Sequence, residues 1–306
     1  MKKTVLTPVF LSTAQVADAL GIGVSTVKRW VEDGILPASK TAGGHRKLLL
    51  ADVLEVARQN NLPVRDLALL TPGVSAKRHR LEPASLGEAL YKALIAGDGQ
   101  QVRAMIHGAY GNGMRIEALA DFAIAPAMHR IGTDWEIGRI DVMHEHRATQ
   151  LCAGALFELK EVLGTRVKRQ WPIAVGAAME GDLSLLPTLL SEMVLLDAGW
   201  DAVNLGPNTP LRSLALAVKE LAPRLVWLSV SHPVDEPLFR RDYARLYQQL
   251  EKSGVPIIVG GRWLNERLRA AIPYTAFGDG LTHLAAFART LHPRPRLPKR
   301  GRPRGK

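Results

Sequence analysis

The stretch IAVGAAMEGDLSLLP, residues 173–187, decides how the C-terminal half of the chain is expected to fold. An apolar run ends in a short polar turn that carries Asp182 and Ser184, and a long apolar segment begins near Leu185. A short apolar run that is bounded by turn residues and followed by a helical pattern predicts a buried strand, a loop and a helix. The loop then lies where α/β proteins place the side chains that bind ligands.

The same alternation continues along the rest of this half. Strands are predicted for PIAVGAA (172–178), WDAVNL (200–205), RLVWLSV (224–230), VPIIVGG (255–261) and YTAFG (274–278). Helices are predicted at about 185–198, 210–221, 237–252, 265–271 and 281–291. Residues 169–291 are therefore predicted to form a doubly wound parallel sheet, in which ligands bind at the carboxyl ends of the strands.

A helical region precedes the sheet. Four segments within residues 84–168 carry apolar residues at three- and four-residue spacing and are separated by glycine-containing turns, which predicts a helical bundle. Residues 63–83 are polar and contain Pro72 and Gly73, so they predict a linker.

The first 62 residues predict a small helical domain that reads DNA. Ser12 and Gln15 form a capping box before a short helix that Gly21 ends, and Ser25 is expected to cap a second, cationic helix that runs to Glu32. Two short helices joined by a tight glycine turn are typical of a helix-turn-helix. A shared apolar face is predicted for Val16, Leu20, Val24, Val27 and Val31.

The second helix is predicted to enter the major groove, and a β-hairpin wing is predicted to follow it. The segment SKTAGGHRKLLL (39–50) places two glycines between a polar and an apolar run, and a further helix is predicted at about 51–59. Candidate contacts to bases and phosphates are Ser25, Thr26, Lys28 and Arg29 on the helix, and Lys40, Thr41, Gly44, His45, Arg46 and Lys47 on the wing. The alternative is a helical protein-interaction module without a DNA role.

The C-terminal tail, residues 292–306, is strongly basic. Its last fourteen residues contribute seven of the eleven excess positive charges and contain no acid, which points to a polyanionic partner. It also holds the Arg-Gly-Arg-Pro core of an AT-hook, an extended segment that fits the minor groove of AT-rich DNA. The hook residues are Arg300, Gly301, Arg302, Pro303 and Arg304. A basic tail that adds only non-specific affinity is the alternative.

Composition excludes several classes of protein. Cys152 is the only cysteine, so a disulfide framework and a cysteine metal site are excluded. No apolar run reaches the length of a membrane span, and no nucleophile–base pair is recognisable, so we expect a cytoplasmic protein that is not an enzyme and contacts no membrane.

The stretch LSTAQVADALGIGVSTVKRWVEDGILPASKTAGGHRKLLLADV (11–53) resembles the MerR family of winged-helix transcription regulators. The resemblance depends on the order of the helix-turn-helix, Trp30, Gly-Ile-Leu-Pro and Gly-Gly-His-Arg. It implies a regulator, expected to be a repressor, that binds double-stranded DNA at two half-sites as a homodimer or a higher homo-oligomer.

A bundle and a doubly wound sheet behind such a reader resemble the light-sensing, cobalamin-dependent repressors of bacterial carotenoid genes. The motifs are Trp135 followed after nine residues by Glu145 and His146, the segment AGWDAVNLGPNTP (198–210), a serine loop with Ser229 and Ser231, and the pair Gly260 and Gly261. The resemblance implies adenosylcobalamin as cofactor. In the family, the tryptophan and the Glu-His pair line the upper face of the corrin, and the double glycine lies near its nucleotide tail. Overall, the sequence predicts a multidomain α and α/β protein with a winged helix-turn-helix, a helical bundle and a cobalamin-binding-like sheet domain.

The loop at 181–187 departs from the family. There the loop reads aspartate-x-histidine-x-x-glycine, with the histidine bound to cobalt and the glycine opening a channel for the nucleotide tail. Here Asp182 remains, but Ser184 replaces the histidine and Pro187 the glycine. A serine hydroxyl is a poor ligand beside imidazole, so Ser184 is instead expected to cap the next helix, with Pro187 in its first turn. Glu136 also stands where the best-known light sensors have a cobalt-capturing histidine.

Several functions of this module stay open. Cobalamin could bind with its own base retained, or weakly; another flat ligand or a protein partner could take its place; or the module could bind nothing. The enzymatic alternative is a corrinoid-dependent methyl-transfer protein, a class that carries the same module but keeps the histidine and has no winged helix.

Overall fold

The computed structural model describes residues 10–40, 46–49, 52–53, 56–57, 83–164, 167 and 170–293. The chain divides into two compact units, Met1–Val162 and Leu163–Lys306. The finer division into five segments that the sequence suggests stays a prediction.

The first unit opens with the helix-turn-helix. Its elements are β1 (Phe10–Ser12), α1 (Thr13–Leu20), α2 (Val24–Glu32), β2 (Ala38–Lys40) and β3 (Arg46–Leu49). The three strands form an antiparallel sheet in the order β1-β3-β2. The predicted hairpin is confirmed, because Lys40 lies opposite Arg46 in the β2–β3 ladder. Strand β1 was not predicted, since three residues are too few to show an alternating pattern; it pairs with the other edge of β3.

The ends of the two helices confirm one cap and correct another. Ser12 Oγ accepts a hydrogen bond from the backbone N–H of Gln15 at 3.2 Å, and the Gln15 side chain accepts one from the backbone N–H of Ser12 at 2.8 Å, so the capping box is present. The expectation that Ser25 caps α2 is wrong: Gly23 is the cap residue and α2 begins at Val24. Gly23 has an extended backbone, and its carbonyl accepts from Thr26 N–H and Val27 N–H, so Ser25 lies within the first turn.

Val24 also departs from the predicted apolar face, because its side chain is 40% exposed. At about 100° per residue, Val24 lies about 40° from Lys28 on the helix. It therefore shares the outer surface with that lysine, whereas Val27 is buried against the rest of the domain.

The predicted helical bundle is confirmed. Its elements are α3 (Pro83–Ala96), α4 (Gly99–Gly111), α5 (Ile116–Leu119), a π-helical turn (Ala120–Ile124), α6 (Ala125–Glu136) and α7 (Val142–Gly164). The π-turn interrupts what the sequence suggests is one helix. It stands directly before Pro126, which has no N–H for an i→i−4 bond, and Ala125 N–H bonds to the carbonyl of Ala120, five residues back.

The second unit is the predicted doubly wound sheet. Its strands are β4 (Ile173–Ala178), β5 (Asp201–Asn204), β6 (Leu225–Ser229), β7 (Ile257–Gly260) and β8 (Ala276–Gly278), all parallel, in the order β5-β4-β6-β7-β8. Its helices are α8 (Leu185–Ala198), α9 (Leu211–Leu221), α10 (Glu236–Ser253), α11 (Glu266–Ala270) and α12 (Leu281–Leu291). The strand order reverses between β4 and β6, so the loops after these strands flank the position where such sheets bind ligands.

Two sets of helices cover this sheet. Helices α9, α10 and α11 share one apolar core with the sheet strands. Helix α8 packs on α12, β4 and β5, and all its residues from Thr188 to Ala198 are buried. Among the residues that the structure describes, no helix is both long enough and apolar enough to cross a membrane.

Candidate functional site: a helix-turn-helix surface and a cobalamin-type module

Helix α2 presents a polar outer face. Ser25, Lys28, Arg29 and Glu32 are exposed and recur at intervals of three and four residues, so they lie on one side of the helix. Thr26, which the sequence also places on the outside, is only half-exposed. A helix with cations on an exposed side has the shape and charge that the major groove accepts.

The wing strand β3 carries two further cations, of which Arg46 contacts this face. Lys47 is exposed, whereas the Arg46 guanidinium (Nη2) donates a hydrogen bond to Glu32 Oε1 at 2.9 Å. Sequence reasoning missed the partner of Arg46. The sequence did contain a signal for this ion pair, since Glu32 is the one acid on the cationic side of the predicted helix.

Other predicted DNA contacts cannot be placed. Thr41, Gly44 and His45 lie outside the described residues, as do the tail residues Arg300, Gly301, Arg302, Pro303 and Arg304. The backbone of Lys40 pairs with that of Arg46.

The predicted upper-face residues lie at the junction of α6 and α7. Trp135 is 45% exposed, so it is not part of the buried core of the bundle. Glu145 Oε1 accepts a hydrogen bond from Thr149 Oγ1 at 2.9 Å, and Glu145 Oε2 lies 3.7 Å from Nε2 of the well-exposed His146. Trp135 and His146 are therefore exposed, whereas Glu145 is half-buried.

A cavity of about 560 Å³ opens beside this tryptophan. Its lining consists of Trp135, Gly138, Arg139, Ile140, Asp141, Val142 and His144. The turn that forms it is fixed from below by Asp134, whose carboxylate accepts from Tyr91 Oη at 2.8 Å and from Arg139 Nη1 at 3.1 Å. The hydrogen bond from Tyr91, opposed by desolvation and assisted by the contact with Arg139, lowers the pKa of Asp134 below its ordinary value.

In the sheet unit, Asp182 joins three loops. Its side chain is fully buried. One carboxylate oxygen accepts from the backbone N–H of Ser184 at 2.9 Å and the other from the backbone N–H of Ser231, while its own carbonyl accepts from the backbone N–H of Asn208 at 2.8 Å. Asp182 therefore holds the loops after β4, β5 and β6 together, and both carboxylate oxygens are occupied by this structural role.

Ser184 stands at the N-cap of α8, as predicted, but its side chain makes no capping hydrogen bond. An N-cap side chain accepts from the N–H group two or three residues further on. Pro187 lies three residues after Ser184 and has no N–H group, so it cannot donate a capping hydrogen bond to the serine.

The serine loop after β6 and the glycine loop after β7 contact each other. Ser229 Oγ lies 3.3 Å from Ser231 Oγ, and the backbone N–H of Val230 donates to the carbonyl of Gly260 at 2.8 Å. Gly261 has a φ of 117°, and a Cβ there would overlap the backbone of Val230. A glycine at position 261 is therefore required by contact between the β6 and β7 loops, whatever else it contacts.

Side chains also fill the space between the sheet and α8. The indole of Trp227, on β6, lies where a Cβ on Gly176 would project, so β4 tolerates only glycine there. Its Nε1 donates to Thr188 Oγ1 at 3.3 Å, and the Thr188 hydroxyl donates to Asn204 Oδ1 at 2.9 Å. Asn204 Nδ2 in turn donates to a Glu192 carboxylate oxygen at 3.3 Å.

This arrangement does not fit a corrinoid that is ligated from the 181–187 loop. The loop offers a hydroxyl and a fully engaged carboxylate, and the adjoining interior is filled by an indole whose N–H is satisfied by the protein. In the part of the chain that the structure describes, no three His, Cys, Asp or Glu side chains cluster in a way that could hold a metal ion.

Two family models match the chain. Residues 10–61 match the model described as Helix-turn-helix domain, and residues 86–160 match the one described as B12 binding domain. The chain therefore combines a segment similar to helix-turn-helix domains with a segment similar to B12 binding domains. Both resemblances that the sequence motifs suggest, to a MerR-type reader and to a cobalamin-binding-like module, are confirmed by this combination.

Known relatives carry one or both parts. The HTH-type transcriptional repressor CarH of Myxococcus xanthus is 24% identical over 263 residues, which are 80% of this chain and 86% of CarH. The dimethylamine corrinoid protein of Methanosarcina barkeri is 19% identical over 67% of this chain and 96% of its own length. The solved structure of the Methanosarcina barkeri monomethylamine corrinoid protein superposes with a TM-score of 0.55 at 17% identity, over 65% of this chain and 94% of that one. That last similarity shows the fold alone.

Proposed function

We propose that this protein is a DNA-binding transcription regulator, a repressor of the MerR type. The observation that carries the proposal is the exposed cationic side of α2, flanked by the β2–β3 wing, within a domain that matches the helix-turn-helix model. Helix α2 enters the major groove, where Thr26, Lys28 and Arg29 read bases or adjacent phosphates. The wing and the basic tail contact the phosphate backbone and the minor groove.

The module behind the reader serves assembly or a partner, without a corrinoid ligated through Ser184. Three features support this: the serine at the ligand position, the proline after it, and the indole of Trp227 packed on Gly176. DNA readers of this type act on paired half-sites, so a homodimer or higher oligomer built through the module is expected.

A second candidate is a cobalamin sensor that retains the cofactor's own base. The exposed Trp135 and the match of residues 86–160 to the B12 binding domain favour it. In that case adenosylcobalamin would rest on the surface near Trp135, and the 181–187 loop would supply no ligand. A corrinoid methyl carrier is disfavoured because such a carrier needs the missing histidine and has no use for α2.

Selection of DNA by the full chain tests the proposal. The purified protein is mixed with a randomised duplex pool, and bound duplexes are recovered over several rounds. We expect one sequence with two related halves to be enriched, and we expect Arg29→Ala to weaken binding to it by about 1–3 kcal/mol if Arg29 reads a base. Failure to enrich any sequence would overturn the proposed function, and unchanged binding by Arg29→Ala would remove that residue from the readout.

A further inference from the structure

An ion pair connects the recognition helix to the wing. Glu32 is the last residue of α2 and Arg46 is the first residue of β3, and their side chains meet at 2.9 Å. The Arg46 side chain is 27% exposed and that of Glu32 is 61% exposed, so the arginine lies against the domain and the carboxylate lies at its surface.

Glu32 lies at the C-terminal end of the side of α2 that carries the candidate DNA contacts, between Lys28 and Arg29 in angle around the helix. At about 100° per residue, it lies about 40° from Lys28 and about 60° from Arg29. An unpaired carboxylate at this place would repel the phosphates that those cations attract. Pairing with Arg46 neutralises it, but the pairing also occupies the arginine.

The two cations of the wing strand point to different sides. Successive residues of a strand alternate between its faces, so Arg46 turns toward α2 while Lys47 turns away from it. The structure agrees, since Arg46 contacts Glu32 and Lys47 is exposed. One of the two residues is therefore placed to hold the wing, and the other is placed to contact a polyanion.

We propose that Arg46 is a positioning residue, which docks the wing on the recognition helix through Glu32 and does not contact phosphate. This proposal rests on the DNA-binding function proposed above. It assigns the phosphate contact on β3 to Lys47. It gives Glu32 a role in setting the angle between α2 and the wing.

The test measures affinity as a function of salt concentration for the full chain on the duplex that the wild type selects. The variants are Glu32→Gln, Arg46→Gln, their double variant, and Lys47→Gln as a phosphate-contact reference. Asp33→Asn is the matched control, because it removes the same charge one residue away without releasing Arg46. Thermal melts check that each variant is folded.

We expect Glu32→Gln, corrected for Asp33→Asn, and Arg46→Gln each to weaken binding by about threefold, the scale of an exposed ion pair. The double variant should bind no more weakly than either single variant, since both remove one contact. The slope of log affinity against log salt should be unchanged for Arg46→Gln and smaller by about 0.9 for Lys47→Gln.

Other outcomes overturn the inference. A slope that falls by about 0.9 in Arg46→Gln, together with tighter binding by Glu32→Gln than by Asp33→Asn, would show that Arg46 leaves the glutamate for a phosphate. Wild-type affinity in both single variants would show that the pair has no role. Failure of the wild-type chain to select a duplex would overturn the DNA-binding proposal itself, which these outcomes do not touch.

Discussion

Substitution of Asp182 by asparagine should destabilise the sheet unit, because this carboxylate joins the loops after β4 and β6 in a fully buried position. An asparagine keeps one acceptor oxygen and turns an NH2 group toward the other backbone N–H donor. The loss of one hydrogen bond to a charged acceptor, with one buried donor left unsatisfied, costs about 2–4 kcal/mol. The matched control is Ser184→Ala, which should change stability by less than about 0.5 kcal/mol because the Ser184 side chain makes no capping bond.

Equilibrium urea unfolding followed by tryptophan fluorescence measures both changes, since Trp200 and Trp227 are buried in the same unit. With a slope of about 2 kcal/mol/M, Asp182→Asn should lower the midpoint by about 1–2 M. Equal midpoints for wild type and Asp182→Asn would refute the structural role of this carboxylate. A large loss in Ser184→Ala would refute the conclusion that the serine does not cap α8.

Three further predictions concern the interior, the helical unit and the tail. Ser184→His alone should leave corrin absorbance at the wild-type level, because Trp227 still fills the adjoining interior, and adding Trp227→Ala should raise it. A rise with Ser184→His alone would contradict the conclusion that Trp227 excludes a corrinoid ligated from the 181–187 loop. The hydrogen bond from Tyr91 lowers the pKa of Asp134, so the stability it contributes is complete above the ordinary carboxylate pKa and is lost as pH falls through that range. The free energy of unfolding should therefore fall less steeply with decreasing pH in Asp134→Asn than in the wild type. The same pH dependence in both proteins would show that this carboxylate does not contribute to acid sensitivity. Deleting residues 293–306 should lower the salt slope of DNA binding, and an unaltered slope would mean that the tail contacts no phosphate.

Most of the fold follows from local patterns. The five strands of the sheet and the helices between them are short apolar or amphipathic runs with turn residues at their ends, and the structure has them where the sequence predicts them. The capping box at Ser12 was equally visible, because it needs only two residues three positions apart. The prediction for Ser25 was wrong because Gly23 lies two residues before it, and the extended backbone of Gly23 already forms the start of the helix.

The candidate site was less predictable, since its decisive contacts join distant segments. The sequence shows that Gly260 and Gly261 permit a close approach, but not that the approaching groups are the carbonyl of Gly278 and the backbone of Val230, respectively. Likewise, the packing of Trp227 on Gly176 depends on the register between β4 and β6. The contact of Arg46 with Glu32 depends on the angle of the wing. None of these contacts has a local signature.

We propose that this protein joins a cobalamin-type module to a DNA-binding domain, and that the 181–187 loop of the module ligates no corrinoid. The most direct test is a visible absorption spectrum of the purified full chain, mixed in the dark with adenosylcobalamin and desalted, with binding to the selected duplex measured before and after illumination. We expect that no corrin absorbance of a histidine-ligated form remains with the protein and that DNA binding is the same in the dark and in the light. A retained corrin, with binding to the duplex lost on illumination, would contradict it.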